Sequence, residues 1–237
     1  MINFDIYLQS SYSFNGSIID VDKAVEKAAS FGYKVLGLAD TNRMHGVIKF
    51  YKSCLKHFIK PIIGMEVTVK GDEFDSQSVI IYARDFSGYQ SLMKISSYLG
   101  SGNDFITPKY LEEYKAGLIG VIVSDRGDLS ESIYNEKDIE ARQIIGEISD
   151  GFSRVYLGLD LRDYTTEIKI APNLHKYGKT VIINNVQYLD KEDKEASKVL
   201  RQILQKENDL QGFFELDNEE LYLKTLEEQK QIYSNYP

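Results

Sequence analysis

The sequence predicts an α/β fold, a single-domain β/α barrel of seven strands. Short apolar strands alternate with amphipathic helices along the chain, seven strand candidates can be counted, and the first strand is not followed by the Gly-rich turn of a doubly wound sheet. Parallel strands can be re-entered only through a crossover, usually a helix, so the alternation favours parallel pairing.

Phe4 to Gln9 is the first strand. Asp20 stands as an N-cap before Val21, Ala24, Val25 and Ala28, an apolar stripe at i, i+3, i+4 and i+7 that Gly32 closes. Val35 to Ala39 is the second strand. Val47, Phe50, Tyr51, Cys54, Leu55 and Phe58 then return at helical spacing, with Pro61 ending the helix. Ile62 to Val69, Val79 to Ala83 and Leu118 to Val123 follow as strands, with a helix over Ser87 to Leu99 and further helices between Asp128 and Ile148. Strand Val155 to Leu159, helix Thr166 to Lys176 and strand Thr180 to Ile183 complete the alternation. Asp190 caps a helix whose predicted buried face is Ala196, Val199, Leu200, Ile203 and Leu204. Thr225 to Tyr236 reads as a last helix, and its abrupt stop at Pro237 reads as a chain cut from a longer one.

Composition removes several classes. Apolar residues make up 43% and charged residues 27%, which excludes collagen-like and disordered chains. Nothing approaches a membrane-spanning apolar run, and Met1 to Ser13 has neither the basic segment nor the apolar core of a secretory signal. A single cysteine, Cys54, permits no internal disulfide and fits a reducing cytoplasm. With 28 Lys and Arg against 36 Asp and Glu, the net charge of −8 makes the isolated chain a poor partner for duplex DNA. The basic stretches Lys49 to Lys60 and Lys191 to Lys206 read as solvated helix faces.

Chemistry in a β/α barrel gathers at the carboxyl ends of its strands. Those ends hold Tyr7 and Gln9, Asp40 and Thr41, Glu66, and the run Asn184, Asn185, Val186, Gln187, so Asp40 and Glu66 are expected to meet across a mouth of neutral hydrogen-bonding groups. Catalytic zinc wants several His or Cys ligands, yet the 3 histidines, His45, His57 and His175, stand at no ligand spacing. His57 and His175 read as solvated, whereas His45 lies close to the predicted mouth. Cys54 falls on an apolar helix face as a core thiol, and the 17 Tyr and 11 Phe are scattered at core spacings. Neither a nucleophile elbow nor a phosphate loop is present.

The run from Leu38 through Ala39, Asp40, Thr41, Asn42, Arg43, Met44, His45 and Gly46 to Phe50, Tyr51 and Cys54 resembles the Thr-Asp-His-Gly-Asn-Leu-x-Gly-x-x-x-Phe-Tyr-x-x-Cys stretch of bacterial replicative DNA polymerases. Ile59 to Glu66 is similar to their Ile-Lys-Pro-Ile-Ile-Gly-x-Glu, Ala83 to Met93 to their Ala-Lys-x-x-x-Gly-Tyr-x-x-Leu, Asn184 to Leu189 to their Asn-Asp-Val-His-Tyr-Leu, and Glu220 to Glu227 to their Tyr-Leu-Lys-x-x-Glu-Glu. These segments belong to the PHP (polymerase and histidinol phosphatase) domain at the amino end of the polymerase III alpha type. The resemblance implies a PHP-type distorted (β/α)7 barrel over residues 1–237, with about 210–237 leading toward polymerase domains. It further implies a whole protein that is a cytoplasmic, DNA-directed DNA polymerase using Mg²⁺ in those later domains. DNA would be met through the full-length protein, and the other implied partners are the remaining polymerase domains and replisome proteins such as a proofreading subunit.

The departures carry as much as the match. Metal-binding members end the first strand in His-x-His, where this chain has Tyr7 and Gln9; the His of Thr-Asp-His is Thr41, and the Asp and His of Asn-Asp-Val-His are Asn185 and Gln187. Asp40 and Glu66 survive, and a ligand position falls somewhere in Ser124 to Asp128. A cluster that activates water depends on its full coordination, so the resemblance implies a domain with no cofactor and no catalytic residue of its own. A hydrogen-bonded polar plug is expected in place of the cluster, with Arg43 offsetting the charge of Asp40. The competing expectation is a metal-dependent PHP phosphoesterase or 3′-5′ proofreading exonuclease surviving on Asp40, Glu66 and a further carboxylate such as Asp5 or Asp125.

Overall fold

The computed structural model describes residues 4–13, 15–160, 169–208 and 220–233, the side chains of 205–208 excepted. Hydrogen bonding places seven strands in chain order, β1 to β7, with helices between most of them, an α/β fold with the strand order of a β/α barrel. The chain divides into two compact units, Met1–Ile62 with Asn184–Asn235, and Ile63–Ile183.

In the first unit, β1 (Phe4–Leu8) pairs in parallel with β2 (Val35–Thr41) across α1 (Val21–Ser30). The expected cap is in place: Asp20 accepts from the amides of Asp22 and Lys23, and Val21, Ala24, Val25 and Ala28 are buried. Gly37 of β2 is required by close approach, since a Cβ there would stand 2.4 Å from the Ile6 carbonyl oxygen. In α2 (Val47–Lys56) the buried residues are Val47, Phe50, Ser53 and Cys54, whereas Tyr51 and Leu55, expected in the same face, are exposed. The helix ends before Pro61, which opens a strand instead. Residues 184–188 run beside the end of β1, where Gln9 donates its amide to Val186 O and the Val186 amide donates to Tyr7 O. Tyr188, Leu221 and Tyr222 form a buried cluster that docks the segment 220–224 on this run. Two further helices of this unit are α8 (Lys194–Asn208) and α9 (Leu226–Tyr233).

Helix α8 corrects one expectation. Among its described side chains the fully buried one is Ser197, whose hydroxyl donates to Gly16 O, while Ala196, Val199 and Ile203 are exposed and Leu200 and Leu204 half-buried. The apolar stripe lies to one side of the contact the helix makes, so periodicity identified the helix but not its buried face.

The second unit departs from parallel pairing. Strand β3 (Lys60–Val69), which begins in the first unit, turns through residues 70–76 into β4 (Gln77–Ala83), antiparallel, and β4 is antiparallel again to β5 (Leu118–Val123). No helix separates β3 from β4, and so short a connection can only bring the chain back antiparallel. Beyond α3 (Phe86–Gly100) and α4 (Pro108–Glu112), parallel pairing resumes through β6 (Arg154–Leu159) and β7 (Thr180–Ile182). Between β5 and β6 lie α5 (Asp128–Tyr134) and α6 (Asp138–Asp150). Of the helix expected over Thr166 to Lys176, α7 (Ala171–Leu174) is present, and the start lies outside the described residues. Among the described residues no helix is long and apolar enough to cross a membrane.

Candidate functional site

At the carboxyl ends of β1 and β2, Asp40 is 1% exposed, and three hydrogen-bond donors turn toward its carboxylate. The Ser10 amide reaches Oδ1 at 2.6 Å, the Ser10 hydroxyl reaches Oδ2 at 2.8 Å, and the Ser13 hydroxyl reaches Oδ1 at 2.8 Å. Burial pushes the Asp40 carboxyl above the ordinary aspartate range, opposed by those bonds and by the nearby charge of His45. Arg43 is exposed.

The neutral positions bond to one another. Gln9, fully buried, donates from Nε2 to Thr41 Oγ1 at 3.0 Å, and its Oε1 accepts from Gln187 Nε2 at 3.0 Å and from Asn15 Nδ2 at 2.8 Å. The Thr41 amide donates to Ser13 Oγ, which links this amide cluster to the Asp40 cage. Tyr7 and Asn185 are buried on the same strand end and the neighbouring run. The first unit therefore gathers Gln9, Asp40, Thr41 and Gln187 into one hydrogen-bonded assembly.

Glu66 belongs to the second unit and has its own counter-charge. Its Oε1 receives the Arg126 guanidinium at 2.9 Å and the Ser78 hydroxyl at 2.5 Å. Arg126 is delivered by a loop that buried Gln77 fixes: the Gln77 amide donates to Val123 O and Arg126 O, and its Oε1 accepts from the Leu129 amide. The interval expected to hold a metal ligand, Ser124 to Asp128, thus supplies a cation to the carboxylate. Asp128 is turned away, accepting the amides of Asp75 and Ser76.

A further buried charge lies upstream on β1. Asp5, 2% exposed, accepts from the Tyr7 amide and from Asn184 Nδ2, both at 3.0 Å, and Asn184 Oδ1 accepts from the buried Lys224 ammonium. Burial pushes the Asp5 carboxyl up to about 6, against the lowering effects of those bonds and of Lys224. Sequence reasoning missed Ser10, Ser13, Asn15, Arg126 and Lys224. The signal for the first three is the run Ser10 to Ser17, which has a single glycine, Gly16, and packs hydroxyl and amide donors directly after a strand end. Cys54 is a core thiol as expected, and burial pushes it up to about 12.

A divalent cation is held by oxygen or nitrogen lone pairs aimed inward. At Asp40 the protein aims protons inward instead, at Glu66 it places a guanidinium, and among the described residues no three His, Cys, Asp or Glu side chains converge. This donor set does not fit a catalytic metal cluster.

Comparison with known proteins follows the same residues. The family model described as "PHP domain" matches residues 5–163. DNA polymerase III subunit alpha of Bacillus subtilis is 30% identical over 98% of this chain, and that of Halalkalibacterium halodurans is 30% identical over 100% of it. The chain spans only 21% and 22% of those two relatives, about a fifth of their length. Among solved structures, one described as a metal-dependent phosphoesterase of Bifidobacterium adolescentis superposes with a TM-score of 0.52 at 11% identity, covering 78% of this chain and 87% of its own, which is a likeness of fold. With its strand order and these matches, the chain belongs to the PHP domain family, in the distorted (β/α)7 class, and is homologous to the N-terminal region of DNA polymerase III alpha subunits.

Proposed function

We propose that this chain serves a replicative DNA polymerase alpha subunit as a structural and interaction domain, with the ancestral metal cluster replaced by a neutral, hydrogen-bonded plug. The observation that carries the reading is the Asp40 cage, in which both carboxylate oxygens already accept from Ser10 and Ser13. A cation would have to displace those donors and draw the Gln9, Gln187 and Thr41 groups out of their mutual bonds, at a cost of roughly 1–3 kcal/mol for each buried group left unpaired. Nucleotidyl transfer, with its Mg²⁺, would belong to polymerase domains beyond this fifth of the protein. Those domains, replisome proteins such as a proofreading subunit, and DNA reached through the full-length protein would be its partners, in the cytoplasm.

The test is elemental analysis of the purified chain after exhaustive dialysis, joined to a phosphodiesterase assay with bis-p-nitrophenyl phosphate and added manganese. Substoichiometric zinc and manganese, with turnover no higher than that of an Asp40→Ala variant, is the expected outcome. Stoichiometric metal that is lost on Gln9→Ala or Gln187→Ala substitution would overturn the reading in favour of a phosphoesterase or exonuclease.

A further inference from the structure

The segment from Thr41 to Met65 contains Arg43, Lys49, Lys52, Lys56 and Lys60 and no acidic residue, within a chain whose net charge is −8. Its helix α2 buries Val47, Phe50 and Cys54 and leaves Ile48, Tyr51 and Leu55 at 55%, 43% and 53% exposure. Their spacing of three and four residues sets them in one row on the outer side, with exposed Lys52 and Lys56 along its edge. Aliphatic side chains in such a row match the ridges of another helix.

Phe58 continues the row just past the helix end and is 92% exposed. Its backbone closes the helix: φ is +56°, its amide donates to Leu55 O at 3.3 Å, and the Ile59 amide donates to Cys54 O at 2.9 Å. This left-handed closing position is one that glycine fills without strain and a Cβ-bearing residue does not. Among the described residues the most exposed aromatic therefore stands where the local backbone favours having no side chain, and a ring exposed to 92% has little packing to repay that strain.

We propose that the outer face of α2, anchored by Phe58, is a docking surface for an acidic amphipathic helix of a protein partner. Charge selects the partner: the row is apolar, its margin is basic, and a helix with Leu or Ile at i, i+3 and i+4 bordered by Asp and Glu complements both features. The aliphatic pair Ile48 and Leu55 favours a protein over a nucleic acid strand, which would take stacking rings and phosphate contacts. The proposal does not depend on whether the plug excludes metal.

The probe is a fluorescein-labelled synthetic helix of about five turns, with a Leu stripe and Glu elsewhere, titrated against the whole chain by anisotropy and mapped by amide chemical shifts. A peptide with Lys replacing Glu and a single-stranded oligothymidylate are the comparators. The Glu peptide is expected to shift residues 48–58, to bind at least about tenfold more tightly than the Lys peptide and to weaken as salt rises. Binding should fall about tenfold in Phe58→Gly and in Lys52→Glu/Lys56→Glu, while Phe58→Gly unfolds at a temperature no lower than the parent. Undiminished binding by Phe58→Gly, equal affinity for both peptides, no peptide binding, a preference for the oligonucleotide, or self-association through this face in sedimentation would each overturn it.

Discussion

Two buried carboxylates in this protein are neutralised by different means, and substitution should tell them apart. Glu66 has a guanidinium, so Arg126→Ala takes the counter-charge from a carboxylate of 12% side-chain exposure, which keeps the Ser78 hydroxyl as a donor. A loss on the order of 2 kcal/mol is expected, less than for a fully buried pair because Arg126 is itself 32% exposed. Urea unfolding should show most of it restored in the Glu66→Gln/Arg126→Met double variant, since nothing charged is then left unpaired. The donors that Ser10 and Ser13 give to Asp40 are neutral, so Asp40→Asn turns an NH₂ toward at least one of them. A loss of about 2 kcal/mol is expected, read as a fall in unfolding temperature.

Asp5 adds a pH dependence of definite sign. Its folded carboxyl titrates at about 6 against 3.8 in an exposed aspartate, so the folded state holds this proton more tightly than the unfolded chain. The stabilising contribution is complete below 3.8 and is lost as pH rises through about 6, amounting to roughly 3 kcal/mol. Asp5→Asn cannot titrate. Unfolding free energies measured at pH 4.5 and 7.5 should accordingly differ less in that variant, with its advantage over the parent greatest at the higher pH.

At the scale of elements, α1 and β5 stand where periodicity and caps put them, because local signals settle a helix start or an apolar strand. Tyr51 and Leu55 of α2 and the stripe of α8 are expected on buried faces, and the first two, with Ala196, Val199 and Ile203, are exposed. An amphipathic period reports that a face is apolar, and only the neighbouring elements decide whether it is covered. Pairing direction was likewise misread at β3 to β5, where a bare seven-residue turn forced an antiparallel return. Where backbone meets backbone the tolerance is least. Gly37→Ala would put a methyl 2.4 Å from the Ile6 carbonyl oxygen and should shift the β1–β2 pairing, visible as lost amide protection across both strands.

For the molecule as a whole, β1 and residues 220–233 belong to one unit, and segment 220–224 ties them together. Leu221 and Tyr222 pack on Tyr188, and the buried Lys224 ammonium reaches Asn184, which in turn holds Asp5. Removing residues 220–237 should therefore cost the first unit its cooperative unfolding, monitored by hydrogen exchange in β1 and in residues 184–188. Lys224→Met, which withdraws a nearby positive charge, should raise the Asp5 titration point further.

By itself the sequence determined the strand and helix succession, the acidic balance, and the presence of amide and hydroxyl side chains at Gln9, Thr41 and Gln187, because these rest on residue type and near-neighbour spacing. Tertiary structure alone decided who compensates whom: Ser10 caging Asp40 across 30 positions, Arg126 meeting Glu66 across 60, Lys224 reaching Asn184 across 40. Such contacts follow from strand register and loop path, and a one-residue change in either would turn the same side chains elsewhere.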